Sequence, residues 1–95
     1  MKKLKNGWVE GTVQDFLDLS DADMEFIETR RALARQVRTL RQEQGLTQTA
    51  LAARLKTSQS CVAKMEAADA TVSVDLLLQS LFRLGMKRRE LAKTF

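Results

Sequence analysis

Apolar residues recur along this chain at helical spacing, three and four apart. Leu33, Val37 and Leu40 form one such stripe, with Met24, Phe26 and Ile27 upstream and Arg30, Arg31, Arg35, Arg38 and Arg41 on the other faces. Ser20 followed three residues later by Asp23 has the form of a capping box. Asp21, Asp23 and Glu25 crowd the first turn, where the helix dipole favours anions. Gly45 is a natural stop. The pattern therefore predicts helix from Ser20 toward Gln44, either as one helix or as two broken near Glu28 to Arg31. Upstream, the first eleven residues have no helical period, and Thr12 with Asp15 opens a short helix carrying Val13, Phe16 and Leu17.

Beyond Gly45 the punctuation becomes regular. Thr47 caps a short helix, Gln48 to Leu55. The turn Lys56-Thr57-Ser58 follows, and Ser58 caps a second short helix, Gln59 to Ala67. Residues 68–72 read as a loop. Ser73 caps a further helix with Asp75 in its first turn, Leu76, Leu77, Leu81 and Leu84 facing inward, and Gly85 at its end. A last short helix is expected within Met86 to Phe95, anchored by Leu91 and Phe95. The expected fold is all-α.

Composition narrows the chemistry. The chain has 95 residues, enough for one real core without staples, and contains no proline and only four glycines. Histidine is absent and Cys61 is the single cysteine, which excludes His-dependent triads, internal disulfides and the usual zinc ligand sets. No phosphate-cradling glycine loop and no nucleophile with an evident base is visible, so an enzyme is not expected, nor is a cofactor. Asp15, Asp18, Asp21 and Asp23 lack the glycine and distal glutamate of a calcium loop, so helix capping accounts for them better. No apolar run approaches a bilayer crossing and no signal peptide is visible, so a cytoplasmic protein is expected.

The net charge of +4 is unevenly distributed: residues 1–29 carry −4 and residues 30–95 carry +8. The expected division is an acidic N-terminal extension over 1–29 and a basic domain over 30–95, the latter suited to a polyanion.

Two short helices joined by a tight turn, Thr47 to Glu66, are the helix-turn-helix unit, whose second helix enters the DNA major groove. Ala52 sits mid-way along the first helix, where a larger side chain would clash with the second. Leu51, Leu55, Val62 and Met65 supply the apolar contacts that fix the crossing angle. Gln48, Ser58, Gln59, Ser60 and Lys64 fill positions that would face DNA. Taken one by one, Gln48 and Gln59 read as solvated surface amides; the pattern around them is what favours contact.

The stretch Gly45-Leu46-Thr47-Gln48-Thr49-Ala50-Leu51-Ala52, then Thr57-Ser58-Gln59-Ser60, then Val62-Ala63-Lys64-Met65-Glu66, resembles the Cro/lambda-repressor-type (XRE) helix-turn-helix family over about Arg35 to Leu84. The resemblance implies a lambda-repressor-like five-helix DNA-binding domain, here with an N-terminal helical extension. It implies that Gln48 bonds a phosphate and buttresses Gln59, and that Thr47 and Ser58 with nearby backbone amides hold phosphates. Gln59, Ser60 and Lys64 would reach base edges, and Ala63 a thymine methyl. Arg41 and Glu66 match a structural ion pair, worth little if partly exposed. One departure stands out. Lys56 occupies a turn position where the family often has glycine, which implies a turn with some strain but an extra charge for phosphate; Thr57 lies beside it.

Two functions follow from that resemblance. One is a sequence-specific repressor binding operator DNA as a homodimer, with Leu77, Leu78, Phe82, Leu91 and Phe95 exceeding the needs of one small core; a monomer with a fuller core is the plain alternative. The other is an antitoxin of the HigA type, which neutralises a small basic ribonuclease toxin and autoregulates its operon. Trp8, Phe16 and Phe26, set among acids, would suit docking on such a toxin. Alternatively, the arm folds over its own core or completes a dimer. Cys61 reads as a small semi-exposed residue rather than a redox switch.

Overall fold

The computed structural model describes residues 19–95, and these form five helices with no strand among them: α1 Asp21–Glu43, α2 Gln48–Leu55, α3 Gln59–Glu66, α4 Val74–Arg83 and α5 Arg88–Ala92. The short helix expected from Thr12, and Trp8 and Phe16, lie outside the described residues.

α1 is one unbroken helix, which settles the alternative of a break near Glu28 to Arg31, and it runs through position 29/30. Its start is a reciprocal capping box: Asp23 N–H donates to Ser20 Oγ at 3.1 Å, and Ser20 N–H donates to Asp23 Oδ2 at 3.2 Å. Thr47, Ser58 and Ser73 cap α2, α3 and α4 in the same way, each hydroxyl accepting a backbone N–H about three residues on.

The helix ends also share one device. After α1 to α4, a residue in the left-handed region lets two backbone amides turn back onto the last carbonyls, as where Thr57 N–H donates to Ala52 O at 2.9 Å and Lys56 N–H to Ala53 O at 3.2 Å. Glycine fills that place after α1 and α4, but Lys56 (φ 59°) fills it after α2 and Ala68 (φ 56°) after α3. An L-residue there costs about 1–2 kcal/mol, so the strain anticipated in the Lys56 turn is present. Because glycine also loses more freedom on folding, Lys56→Gly is expected to raise stability by only about 0.5–1 kcal/mol, read as a higher urea midpoint at unchanged slope.

α1 packs on α4 and α3, and α2 packs on α3. The core between them is Leu33, Val37, Leu51, Ala52, Val62, Met65, Val72, Leu77, Leu81, Leu84 and Met86. Gln44 Nε2 donates to Leu84 O at 2.6 Å, so α1 and α4 end side by side. The other amide atom of Gln44, Oε1, accepts from Arg54 Nη1 at 3.0 Å and ties the end of α2 to the same corner.

Several expectations are corrected. Phe95 is no anchor: α5 stops at Ala92, the i+4 register from Leu91 is lost, and Phe95 is 66% exposed. Leu77 is wholly buried in the core and cannot contribute to a surface, while Leu76, expected inside, is only half-buried. α3 ends at Glu66 with Ala67 as its cap.

Candidate nucleic-acid interface

The helix-turn-helix is held by its smallest side chain. Ala52 is buried where α2 meets α3, and Leu51, Val62 and Met65 close fully around the crossing, with Leu55 half-buried at its edge. This fixes α3 so that its N-terminal turn stands outward. Ser58, Gln59, Ser60 and Lys64 are exposed, Ala63 and Cys61 are half-exposed, and Thr47, Lys56 and Thr57 are exposed on the approach. Of the sequence-assigned site residues, Thr47 and Gln48 stand at the start of α2, Lys56 and Thr57 in the turn after it, Ser58, Gln59 and Ser60 at the start of α3, and Ala63 and Lys64 further along α3.

Behind it lies a chain of hydrogen bonds. Arg41 grips Glu66 through two nitrogens, Nε to Oε2 at 2.5 Å and Nη2 to Oε1 at 3.0 Å. Its third nitrogen, Nη1, donates to Leu46 O at 2.9 Å. Glu66 Oε1 also accepts from Gln48 Nε2 at 3.2 Å, and Gln48 Oε1 in turn accepts from Gln59 Nε2 at 2.7 Å. The order of atoms is dictated by chemistry. An ionised carboxylate only accepts, so Gln48 must turn its NH2 toward Glu66 and its carbonyl toward Gln59. Gln59 is left with its own carbonyl and one N–H free at the surface.

The Arg41–Glu66 pair is more enclosed than a surface bridge, with side chains 12% and 6% exposed. Hydrogen bonding to Glu66 makes Arg41 hold its proton more tightly than usual, and the nearby negative charge adds to this against the cost of burial. At the loop after α3, Asp69 accepts from Thr71 Oγ1 at 2.6 Å and from Thr71 N–H at 2.8 Å. Those bonds hold the Asp69 carboxyl below its ordinary range, with smaller help from the charges of Lys64 and Arg30. Beside this loop an open groove of about 360 Å³ is lined by Ser60, Cys61, Lys64, Thr71 and Ser73.

This geometry has a counterpart among known proteins. A family model described as a helix-turn-helix domain matches residues 16–88. The chain belongs to the helix-turn-helix domain family. No curated protein and no solved structure matches it. The helix-turn-helix match spans all of α1 to α4, so the unit at α2 and α3 sits within one family domain rather than being an isolated motif. No helix among the described residues is long and apolar enough to cross a membrane.

Two participants in this helix-turn-helix were missed from sequence. Gln44 was read only as the end of a helix, and its bridging role has no local signature, since its partners lie 10 and 40 residues away. Glu66 was paired with Arg41 but not with Gln48; the two stand 18 residues apart and meet only once α2 and α3 cross.

Proposed function

We propose that this chain is a sequence-specific DNA-binding transcriptional regulator, a repressor that reads operator DNA with α3. One observation carries the reading: the chain Arg41–Glu66–Gln48–Gln59 ends on an exposed, oriented amide at the start of α3. The carbonyl and the remaining N–H of Gln59 match the N6–H donor and N7 acceptor of adenine in the major groove. Ser60 and Lys64 flank it on the exposed side of the same helix, and Ala63 offers a methyl to thymine. Thr47, Lys56, Thr57 and Ser58, with the amides of both helix starts, supply phosphate contacts. Residues 30–95 carry this activity, and palindromic operators are read by a homodimer.

The test begins with selection of bound genomic DNA to obtain the operator. Gln59→Ala should then cost about 1–3 kcal/mol at that site and relax the preference at one base pair. It should leave the salt slope unchanged, whereas Lys56→Ala should reduce that slope by about one. A wild-type affinity that ignores salt, or a Gln59→Ala variant with unaltered affinity and footprint, overturns the proposal.

A second reading, the HigA-type antitoxin, has one observation in its favour. Phe26 is 51% exposed on a stretch of α1 that also carries Asp23, Glu25 and Glu28, with Asp23 one turn before it on the same side. Arg30 lies over its ring at 4.8 Å and partly offsets that charge. Gene order separates the two: a co-transcribed frame for a small basic toxin supports the antitoxin, and its absence supports the plain repressor.

A further inference from the structure

The excess positive charge of this chain is concentrated in one place. Residues 1–82 hold eleven cations and eleven acids. Residues 83–95 hold five cations, Arg83, Lys87, Arg88, Arg89 and Lys93, and one acid, Glu90, so this segment alone accounts for the net charge of +4. All five cations are exposed, and none makes an ion pair among the described residues. The segment is pinned to the body, because Met86 is buried and Leu91 packs half-buried against the core. Glu90 is already engaged, its Oε1 accepting from Lys87 N–H at 2.7 Å.

Helix stability does not account for this placement. α1 opens on Asp21 and Asp23, and α4 has Asp75 in its first turn, as the helix dipole favours. α5 does the reverse: Lys87 is its N-cap, and Arg88 and Arg89 are its first two residues. Arg83 is the exception, since the end of α4 favours a cation. The segment also adjoins the helix-turn-helix. Leu84 O accepts from Gln44 Nε2 at 2.6 Å, and Gln44 Oε1 accepts from Arg54 Nη1 at 3.0 Å. Arg54 is exposed in the last turn of α2, and Lys56 stands two residues on, in the turn that leads to α3. Cations therefore run from Lys56 through Arg54 to Lys87, three residues beyond Leu84. α3 itself supplies only Lys64, whose charge Asp69 already feels.

We propose that residues 83–95 grip the sugar-phosphate backbone of the duplex beside the base pairs that α3 reads, with Lys87, Arg88, Arg89 and Lys93 as the phosphate contacts. The proposal rests on the operator reading for its duplex and adds a second surface to it. The magnitudes favour it. Each phosphate neutralised contributes about −0.9 to the slope of log affinity against log salt, so Lys56 and Lys64 alone give a slope of only about −2. About three further contacts from the α5 segment bring it to about −5. Phosphate contacts carry no base information, so they raise affinity for every sequence alike and leave the preference to Gln59.

The test compares the full chain with a neutralised variant, Lys87→Gln with Arg88→Gln, Arg89→Gln and Lys93→Gln. Each is titrated over a range of salt onto the selected operator duplex and onto a duplex of scrambled sequence. The variant should lose about three units of slope, and about 100-fold in affinity at about 0.1 M salt, equally on both duplexes. A charge-keeping variant, Lys87→Arg with Arg88→Lys, Arg89→Lys and Lys93→Arg, should keep the wild-type slope, because phosphate is met here as a charge. Trimming the operator to the neutralised variant's own footprint should cost the wild type the same slope and that variant nothing. Circular dichroism checks that each variant keeps its helices. A folded neutralised variant with the wild-type slope, a loss confined to one duplex, or a wild type indifferent to trimming overturns the proposal. Equal slopes together with binding of phosphatidylserine vesicles by the wild type alone would assign the segment to a membrane surface instead. Equal slopes with the base preference intact refute this surface and not the regulator. A slope lost by the variant in a chain without base preference refutes the regulator and not this surface, and a wild type that binds no duplex overturns both.

Discussion

Glu66→Ala is expected to lower the unfolding free energy by about 3–5 kcal/mol, the range for removing one partner of a buried ion pair. Two groups lose a partner at once, and a third loses its support. Arg41, with a side chain only 12% exposed, keeps its charge but loses both carboxylate bonds. Gln48 loses the acceptor for its NH2. Gln59 then leans on a Gln48 amide free to rotate. For a domain of this size each kcal/mol moves the thermal midpoint by about 4–8 °C, so a fall of about 15 °C or more is expected by calorimetry. A fall of only a few degrees would show that water screens the pair as it would at an open surface.

The same site separates holding the fold from orienting the amide. Replacing both partners with apolar residues, Arg41→Met with Glu66→Leu, removes the buried charges together and should restore most of the stability. It cannot restore an acceptor for Gln48. The double variant should therefore melt near the wild type while discriminating its operator no better than Gln48→Ala does. Recovery of both properties would mean that Gln59 needs no oriented support.

Much of this architecture is legible in the chain because its signals are local. Ser20 with Asp23, Thr47, Ser58 and Ser73 each cap the helix they precede, since capping depends only on residues within one turn. Gly45 and Gly85 mark ends for the same reason, and Lys56 keeps the left-handed turn that a glycine would have announced. What sequence left open depends on where helices lie against one another. Three consecutive leucines, Leu76 to Leu78, cannot all face one way, and α1 decides that Leu77 goes in while Leu78 stays half-out. The link from Gln48 to Glu66, and the double duty of Gln44, join residues that only the packed helices bring together. The burial of Arg41 has the same origin: its neighbours on α1 give no hint that α3 will close over it.

The crossing of α2 and α3 makes a comparable demand on the core. Leu51 is fully enclosed on α2, beside Ala52 and among Val62 and Met65. Leu51→Ala should cost about 2–5 kcal/mol, the sum of lost apolar transfer and the cavity left behind. Leu55→Ala, one turn further along the same helix but half-buried, should cost much less, because water and neighbouring side chains already reach the space it vacates. Urea unfolding of the two variants measures the contrast directly. The consequence for DNA is equally specific. Leu51 faces away from the exposed start of α3, so its loss should weaken operator binding through the fraction of molecules unfolded, not through the contacts made by folded ones. At a temperature well below the variant's midpoint, Leu51→Ala should therefore bind its operator with near wild-type affinity and an unchanged base preference. A Leu51→Ala protein that is folded yet has lost the preference at the base read by Gln59 would mean that the crossing angle tolerates no relaxation, and that the core at Ala52 sets specificity as well as stability.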